Sequence, residues 1–378
     1  MRKYVISKFN KIEVRKILHV IHGGSFGGVE SVVLNYYQNI DRNRFQFDFV
    51  FHSSKKLEFH EEIEKLGGRV FIFPTLGSNP WQYFKKLRLI IQQNGKYDAI
   101  HIHTGHQSGF VAFFALFSGI KIRICHSHNI TAENPLHRKL FSLWRLVIAI
   151  FCNKFIACSD ESGKIWFRNL KFELLPNAIN FEKYQNVDIK EVIEFKEELG
   201  ITSNSLIMGH AGRFVKVKNH DYLIEIVSNI INKYHRNVHL LLAGDGPLFN
   251  EIKEKTIMYG LERNIHFLGH FSNMPLFWNS IDVMLLPSHN EGFPLVFVEA
   301  QAAGKYSIIS DGVKSVLSSG FSNYSICELS AIDTWCEKIL KHNGKFVGYV
   351  SDNNIYNLDY SAKSLEEIYE SYFCEFKR

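Results

Sequence analysis

The sequence predicts an α/β protein of two doubly wound lobes, each a parallel sheet flanked by helices. Three observations lead there. Short β-branched or apolar runs alternate with segments of helical period along most of the chain, the pattern of right-handed βαβ units. The alternation starts afresh near residue 205, after a charged stretch that opens on a Pro176-Asn177 turn. A length of 378 residues suffices for two domains with separate cores.

In chain order, "KILHVI" (16–21) reads as a strand, "HGGSFGG" as a loop and "VESVVLNYYQNI" as a helix. "FQFDFVF", "RVFIF", "AIHIH", "IRICHSH" and "NKFIACS" follow as strands with helices between, and "FELLPNAIN" closes the first lobe, 1–178. The second lobe, 179–355, begins with a charged helix and carries five strands: "SLIMGHAG", "VHLLLAGDG", "NIHFLGH", "DVMLLPS" and "KYSIISD". Residues 356–378 form a last helix, expected to pack back on the first lobe. Two such lobes leave a cleft at the carboxyl ends of their strands, the usual place for a ligand.

Composition narrows the function. A hydrophobic content of 46% with 22% charged residues is globular, and a net charge of +6 suits an acidic ligand but is too weak to argue for DNA. None of the six cysteines forms a CxxC pair or a zinc-spaced cluster, which fits reduced thiols in a cytoplasmic protein. The basic N-terminus has an apolar core too short for a signal peptide, and no run reaches the ~20 residues of a membrane span. The segment "PLHRKLFSLWRLVIAIF" (135–151) is basic and oily; it could touch anionic lipid or equally pack into the first lobe.

Four stretches carry chemistry. The loop "HGGSFGGVE" offers backbone N–H groups at a helix start, with Gly27 and Gly28 as the closest approach; a phosphate contact and a plain tight turn both fit it. It matches neither the dinucleotide fingerprint nor a P-loop. In "GRFVKVK", Arg213 and Lys218 stand in a strand-end loop, where an Arg can grip two phosphate oxygens and a Lys adds a mobile charge. In "EGFPLVFVE", Glu291 and Glu299 are separated by up to ~12 Å along a helix axis. That is long for an acid–base pair acting on one bond, and suits two clamps on an extended ligand. Between them Gly292, Phe293, Pro294 and Leu295 open the helix, a start suited to a pyrophosphate. Finally, His101, His103, His106, His126 and His128 lie at strand ends in "AIHIHTGHQ" and "RICHSHN". Metal ligation lacks an evident third ligand, and there is no DxD motif for magnesium diphosphate; loop-lining and substrate-contact roles both remain.

Together these stretches resemble the family 4 glycosyltransferases, retaining enzymes of the two-lobed, Rossmann-like GT-B fold, and most closely the bacterial capsular and exopolysaccharide transferases. The motifs "GGVE", "HSHN", "GRFVKVK" and "EGFPLVFVE" occur in that family's order over roughly 16–310, the last being its E-x7-E signature. The resemblance implies a nucleotide-sugar donor, UDP-linked, with no cofactor and no metal. It implies that Glu299 holds the ribose and Glu291 the transferred sugar. Arg213 and Lys218 would neutralise the diphosphate, with the backbone at Gly28 and at Phe293–Leu295 completing the cradle. His128 matches the family's catalytic-region histidine, with His126 as second choice. One departure stands out: after "SDG" (310–312) the stretch "VKSVLSSGFSNYSI" lacks the acid usual there, which leaves its local geometry open.

The expected acceptor is a glycan, lipid-linked, met at the cytoplasmic face of the membrane; no nucleic-acid partner is expected. Two other classes stay open. One is a non-catalytic GT-B subunit supporting a partner transferase, against which Glu291 and Arg213 are both present. The other is a sugar-nucleotide epimerase or phosphorylase on the same fold, for which no cofactor lysine site is evident.

Overall fold

The computed structural model describes residues 14–22, 28–53, 58–74, 77, 79–128, 140–291, 293–342, 348, 350–351 and 354–376. Gly27 and Gly292 lie outside them, as do Asn129 and residues 135–139. The chain divides into two compact units, one of residues 1–176 with 361–378 and one of 177–360.

The first unit holds β1 (Arg15–Ile21), β2 (Phe45–His52), β3 (Val70–Phe73), β4 (Ala99–His103), β5 (Ile122–Ser127), β6 (Lys154–Ala157) and β7 (Glu173–Leu174). They form one sheet in the order β3-β2-β1-β4-β5-β6-β7, and every pairing is parallel. The order reverses between β1 and β4, so the carboxyl ends of those two strands flank a topological switch point. Near-continuous burial of β1, β2, β4 and β5 explains their apolar runs, because helices cover both faces of such a sheet. On the sheet pack α1 (Gly28–Asn39), α2 (Glu58–Lys65), α3 (Pro80–Gln93), α4 (Ser108–Phe117), α5 (Phe141–Phe151) and α6 (Asp160–Phe167). Asn79 caps α3 ahead of a proline at its first turn, and Ser159 caps α6.

The second unit holds α7 (Phe181–Gln185), α8 (Ile189–Glu198), β8 (Leu206–Ala211), α9 (His220–Tyr234), β9 (Val238–Ala243), α10 (Phe249–Met258) and β10 (Ile265–Gly269). It continues through α11 (Met274–Asn279), β11 (Val283–Leu286), α12 (Leu295–Ala302), β12 (Tyr306–Ser310), β13 (Tyr324–Cys327) and α13 (Ile332–His342). Its sheet runs β10-β9-β8-β11-β12-β13, again parallel, with the switch point between β8 and β11.

Two features extend the sequence reading. The acid-free stretch after residue 312 forms a 3-10 turn, Lys314–Ser318, and then β13, a sixth strand that the reading does not contain. At four residues and mostly half-buried, this edge strand has too little apolar signal to stand out. The other is α14 (Leu358–Glu375), most of which belongs to the first unit. There Arg44 pairs with Glu366 and Glu370, and Tyr369 is buried against Phe45 and Phe47. Cys374 on this helix is exposed; the other five cysteines are buried thiols.

Candidate active site

In the second unit the loop after β8 is tied by its backbone to the loops after β9 and β11. Gly212 N–H donates to Ala243, Phe214 N–H to Asp245, and His289 N–H to Val217. Gly244 makes this approach possible, and Gly312 lets the loop after β12 come equally close to the loop after β11. Gly244 adopts φ +139°, and a Cβ there would come within 2.1 Å of the Gly212 oxygen. A Cβ on Gly312 would stand 2.2 Å from the His289 oxygen.

This lacing brings Lys218 to Glu291. Nζ donates to Oε1 at 2.5 Å, and Ser288 Oγ donates to the same oxygen at 2.7 Å. The pair is mostly shielded, with side-chain exposures of 18% and 13%. Arg213, five residues before Lys218, is exposed. His210 and His220 are buried below the loop, and burial is the main reason both rings titrate low, His220 at about 4. Helix α12 starts at Leu295 behind Pro294, so no side chain caps its first turn. Its backbone N–H groups are of the kind that anions satisfy. Phe293 is buried and stacks on Tyr356 at 4.7 Å, which anchors the helix start.

Glu299 is half-buried on α12 and accepts from Trp278 Nε1 at 2.8 Å and from the Tyr184 hydroxyl. Burial raises its pKa, and the two donors oppose that rise. The fold thus gives the two glutamates separate neighbours: Glu291 a lysine and a serine, Glu299 an indole and a phenol. Ser288, Trp278 and Tyr184 are absent from the sequence reading, since their partners lie 3, 21 and 115 residues away and no short motif joins them.

In the first unit the histidines gather at the switch point. Alternate residues of a strand share a face, so His101 pairs with His103 and His126 with His128. Register sets His19 of β1 opposite His101. The rings pack at 4.3 Å for His101–His103 and 4.0 Å for His126–His128. His126 is buried in the strand, and His128 is half-buried just beyond it. Burial, then neighbouring imidazoles, hold His101, His103 and His126 well below the ordinary range, and burial takes His19 to about 3. The fold supplies a third partner in two ways, by adding His19 to one doublet and by bringing His103 to the other. One nitrogen each from His19, His101 and His103 lie within 4.8 Å of one another, as do those of His103, His126 and His128, so either trio could hold a cation. His106 stands apart, beside Trp144.

His106 belongs to a second feature of this unit, an apolar cavity of about 790 Å³ among α3, α4 and α5. Trp81, Phe84, Phe110, Phe113, Phe117 and Trp144 line it. Trp81 is 75% exposed, and α5 buries Ile148 while leaving Leu143, Leu146 and Ile150 in the open. Ile148 joins the first unit's core and Phe141 and Phe151 pack against it, so the helix packs into the first lobe, as that alternative expects, while one face stays exposed. Among the described residues no helix is long and apolar enough to cross a membrane.

Comparison with known proteins gives this geometry a family. Residues 26–183 match the family described as "Glycosyltransferase Family 4", and residues 191–341 match "Glycosyl transferases group 1". The chain is 36% identical to the glycosyltransferase-type protein EpsF of Bacillus subtilis, over 86% of this chain and 87% of that one. It is 25% identical to the capsular polysaccharide biosynthesis glycosyltransferase CapH of Staphylococcus aureus, over 94% and 99%. Among solved structures, a Rickettsia africae glycosyltransferase superposes with a TM-score of 0.77 at 17% identity, over 95% of this chain and 98% of that one. Anabaena HepE, solved with UDP-glucose, gives 0.75 at 19% identity, over 94% and 99%. The two parallel sheets, the E-x7-E stretch, the two family matches and the 36% identity to EpsF over 86% of the chain make it a member of the family 4 glycosyltransferases, of the GT-B fold.

Proposed function

We propose that this protein is a retaining, metal-independent glycosyltransferase. It moves a sugar from a UDP-sugar to a lipid-linked glycan acceptor at the cytoplasmic membrane face, in capsule or exopolysaccharide synthesis. The observation that carries this reading is the cluster of Lys218, Glu291 and Ser288 at the second sheet's switch point, beside exposed Arg213. The names of relatives agree with it: HepE was solved with UDP-glucose, and a 26% identical Escherichia coli relative is named for transfer from UDP-Gal to a diphosphoundecaprenol-linked GlcNAc.

In this mechanism Arg213, Lys218 and the start of α12 hold the diphosphate. As the anomeric C–O bond breaks, negative charge grows on the phosphate oxygens and these groups stabilise it. The acceptor oxygen bonds to the anomeric carbon on the same face, and its proton passes to the departing phosphate oxygen. Two protein cations supply the charge that a divalent ion supplies elsewhere. Glu299 takes the ribose hydroxyls and Glu291 the hydroxyls of the moving sugar. In the first unit the candidate substrate contacts are His128, with His126 as second choice, and the backbone at Gly28. The aromatic cavity suits the hydrocarbon of a lipid-linked acceptor, and the exposed apolar residues of α5 suit peripheral membrane contact. Calorimetry with UDP and UDP-sugars on the wild type, followed by transfer assays on polyprenyl-diphosphate glycans, tests the reading. Absence of UDP binding overturns it.

A further inference from the structure

The carboxylate of Glu299 is held by a neutral donor on a rigid mount. Trp278 of α11 is fully buried, and its indole N–H donates to Glu299 Oε2 at 2.8 Å. The ring packs edge-on against buried Phe277 at 4.8 Å. Asn273 caps α11 at its start. Asn279, at the other end, donates to the carbonyls of Tyr184 and Pro275, and its own carbonyl accepts from Lys305 Nζ. The helix is thus tied to α7 on one side and to the start of β12 on the other. A fixed N–H of this kind orders the long, flexible glutamate that meets it before any ligand arrives, which lowers the entropy lost on binding.

Chemistry and position then say what this carboxylate can meet. An indole N–H only donates, so its partner is kept as an acceptor. A carboxylate has about four acceptor sites, and the indole fills one. The neighbours that hold Glu299, Trp278 and Tyr184, are uncharged, so its charge is not spent on a cation there. An ionised acid so near a helix start suited to phosphate repels a further anion, and it favours hydroxyl groups, which it binds in charge-assisted bonds. Along α12 the half-buried positions Leu295, Val296 and Glu299 form one stripe that begins at that start. Four residues of helix set Glu299 about 6 Å beyond Leu295. That offset fits the ribose of a nucleoside diphosphate whose phosphates sit at the helix start.

We propose that Trp278 is a positioning residue for the choice of donor: its indole N–H turns the Glu299 carboxylate so that the 2′ and 3′ hydroxyls of one ribose both donate to it, and the protein thereby prefers ribonucleotide donors to 2′-deoxyribonucleotide ones. A deoxyribose brings a C–H to the place of one hydroxyl and leaves an ionised acceptor short of a bond. UDP-sugars satisfy the carboxylate, and 2′-deoxy donors of the thymidine type do not. The inference rests on the assignment of Glu299 to the ribose given above.

Calorimetry of the full chain with UDP and with 2′-deoxy-UDP tests this. The wild type is expected to bind UDP roughly tenfold more tightly, as one charge-assisted hydrogen bond implies. Equal affinities overturn the proposal, and that result needs no variant to fold. Trp278→Phe removes the N–H and should shrink the preference severalfold. A preference unchanged in this variant, whatever happens to its affinity for UDP, makes Trp278 structural only and overturns the proposal. Where the smaller ring unfolds the protein, Trp278→benzothienylalanine keeps the shape of the indole with sulfur in place of N–H and serves the same comparison. Glu299→Gln separates the inference from the reading beneath it. If UDP affinity is unchanged in Glu299→Gln, the carboxylate does not hold the ribose, and both fall. If Glu299→Gln weakens UDP and erases the preference while loss of the N–H at Trp278 does not, Glu299 keeps the ribose and the role of Trp278 falls.

Discussion

Lys218 Nζ and Glu291 Oε1 stand 2.5 Å apart, although the mechanism proposed here assigns them to opposite ends of the leaving bond. A diphosphate that draws on Lys218 must compete with a carboxylate already holding it. In that mechanism, binding exchanges one anion for another at the lysine and leaves Glu291 Oε1, which accepts from Ser288, to a sugar hydroxyl.

The first prediction concerns that pair. Lys218→Ala leaves a shielded carboxylate without its cation and should destabilise the fold by about 1–3 kcal/mol. Glu291→Gln should cost less, because the amide oxygen can still accept from Ser288 and the flexible lysine can reach water. Urea unfolding at neutral pH ranks the two; the opposite order argues against a shielded pair.

The two glutamates should separate in function. Glu299→Gln is expected to weaken binding of bare UDP, by roughly tenfold for one charge-assisted contact of about 1.4 kcal/mol. Glu291→Gln should leave UDP affinity near that of the wild type and lower the rate of transfer. Calorimetry beside steady-state rates decides, and equal losses of UDP affinity would reduce the pair to a structural cluster.

Arg213→Ala should lose UDP affinity and transfer together, by about 1.5–3 kcal/mol for hydrogen bonds to a charged group. With charge supplied by Arg213 and Lys218, transfer should also persist in EDTA. Activity abolished by chelation and restored by magnesium or manganese would refute the metal-independent mechanism.

Glu299 also sets a pH dependence. Burial raises its folded-state pKa, so the native protein holds this proton more tightly than the unfolded chain. The contribution to stability is present in acid and falls as pH climbs from about 4.5 through the raised value. Glu299→Gln cannot titrate. The wild-type-minus-variant difference in unfolding free energy should therefore decline across that interval and then level off. A flat difference would mean that the carboxyl is not desolvated.

The aromatic cavity offers a separate test. Trp81→Ala together with Phe110→Ala should raise KM for a polyprenyl-linked acceptor and leave UDP affinity unchanged. A water-soluble acceptor glycan should be insensitive to the pair. If both acceptors suffer alike, the cavity has another occupant.

Much of this architecture is legible in the chain because parallel strands buried on both faces leave continuous apolar runs, as in β8, β9 and β11. Edge strand β13 leaves almost no such trace. The loops after β8 and β11 could be singled out because charge and glycine there break the apolar pattern. Their junction, Lys218 to Glu291, spans 73 residues and depends on the strand order of the second sheet, which periodicity does not encode. The histidine doublets were visible as alternation within single strands. His19 sits in an apolar run, and Tyr369 lies 268 residues from His101, so only register and packing unite them.

The first unit draws its last helix from residues far downstream of its sheet, and this has a consequence for synthesis. By the time Pro176 leaves the ribosome all seven strands of that sheet exist, yet Tyr369, Glu366 and Glu370 are not made until nearly 190 further residues have followed. At ~5–20 residues per second that interval is about 10–40 seconds, long against the folding time of most domains. Throughout it Phe45 and Phe47 lack the ring that covers them and His19 and His101 lack their shared phenol. The nascent first unit is therefore a natural client for chaperones, and loss of the final helix should be felt there as insolubility on expression.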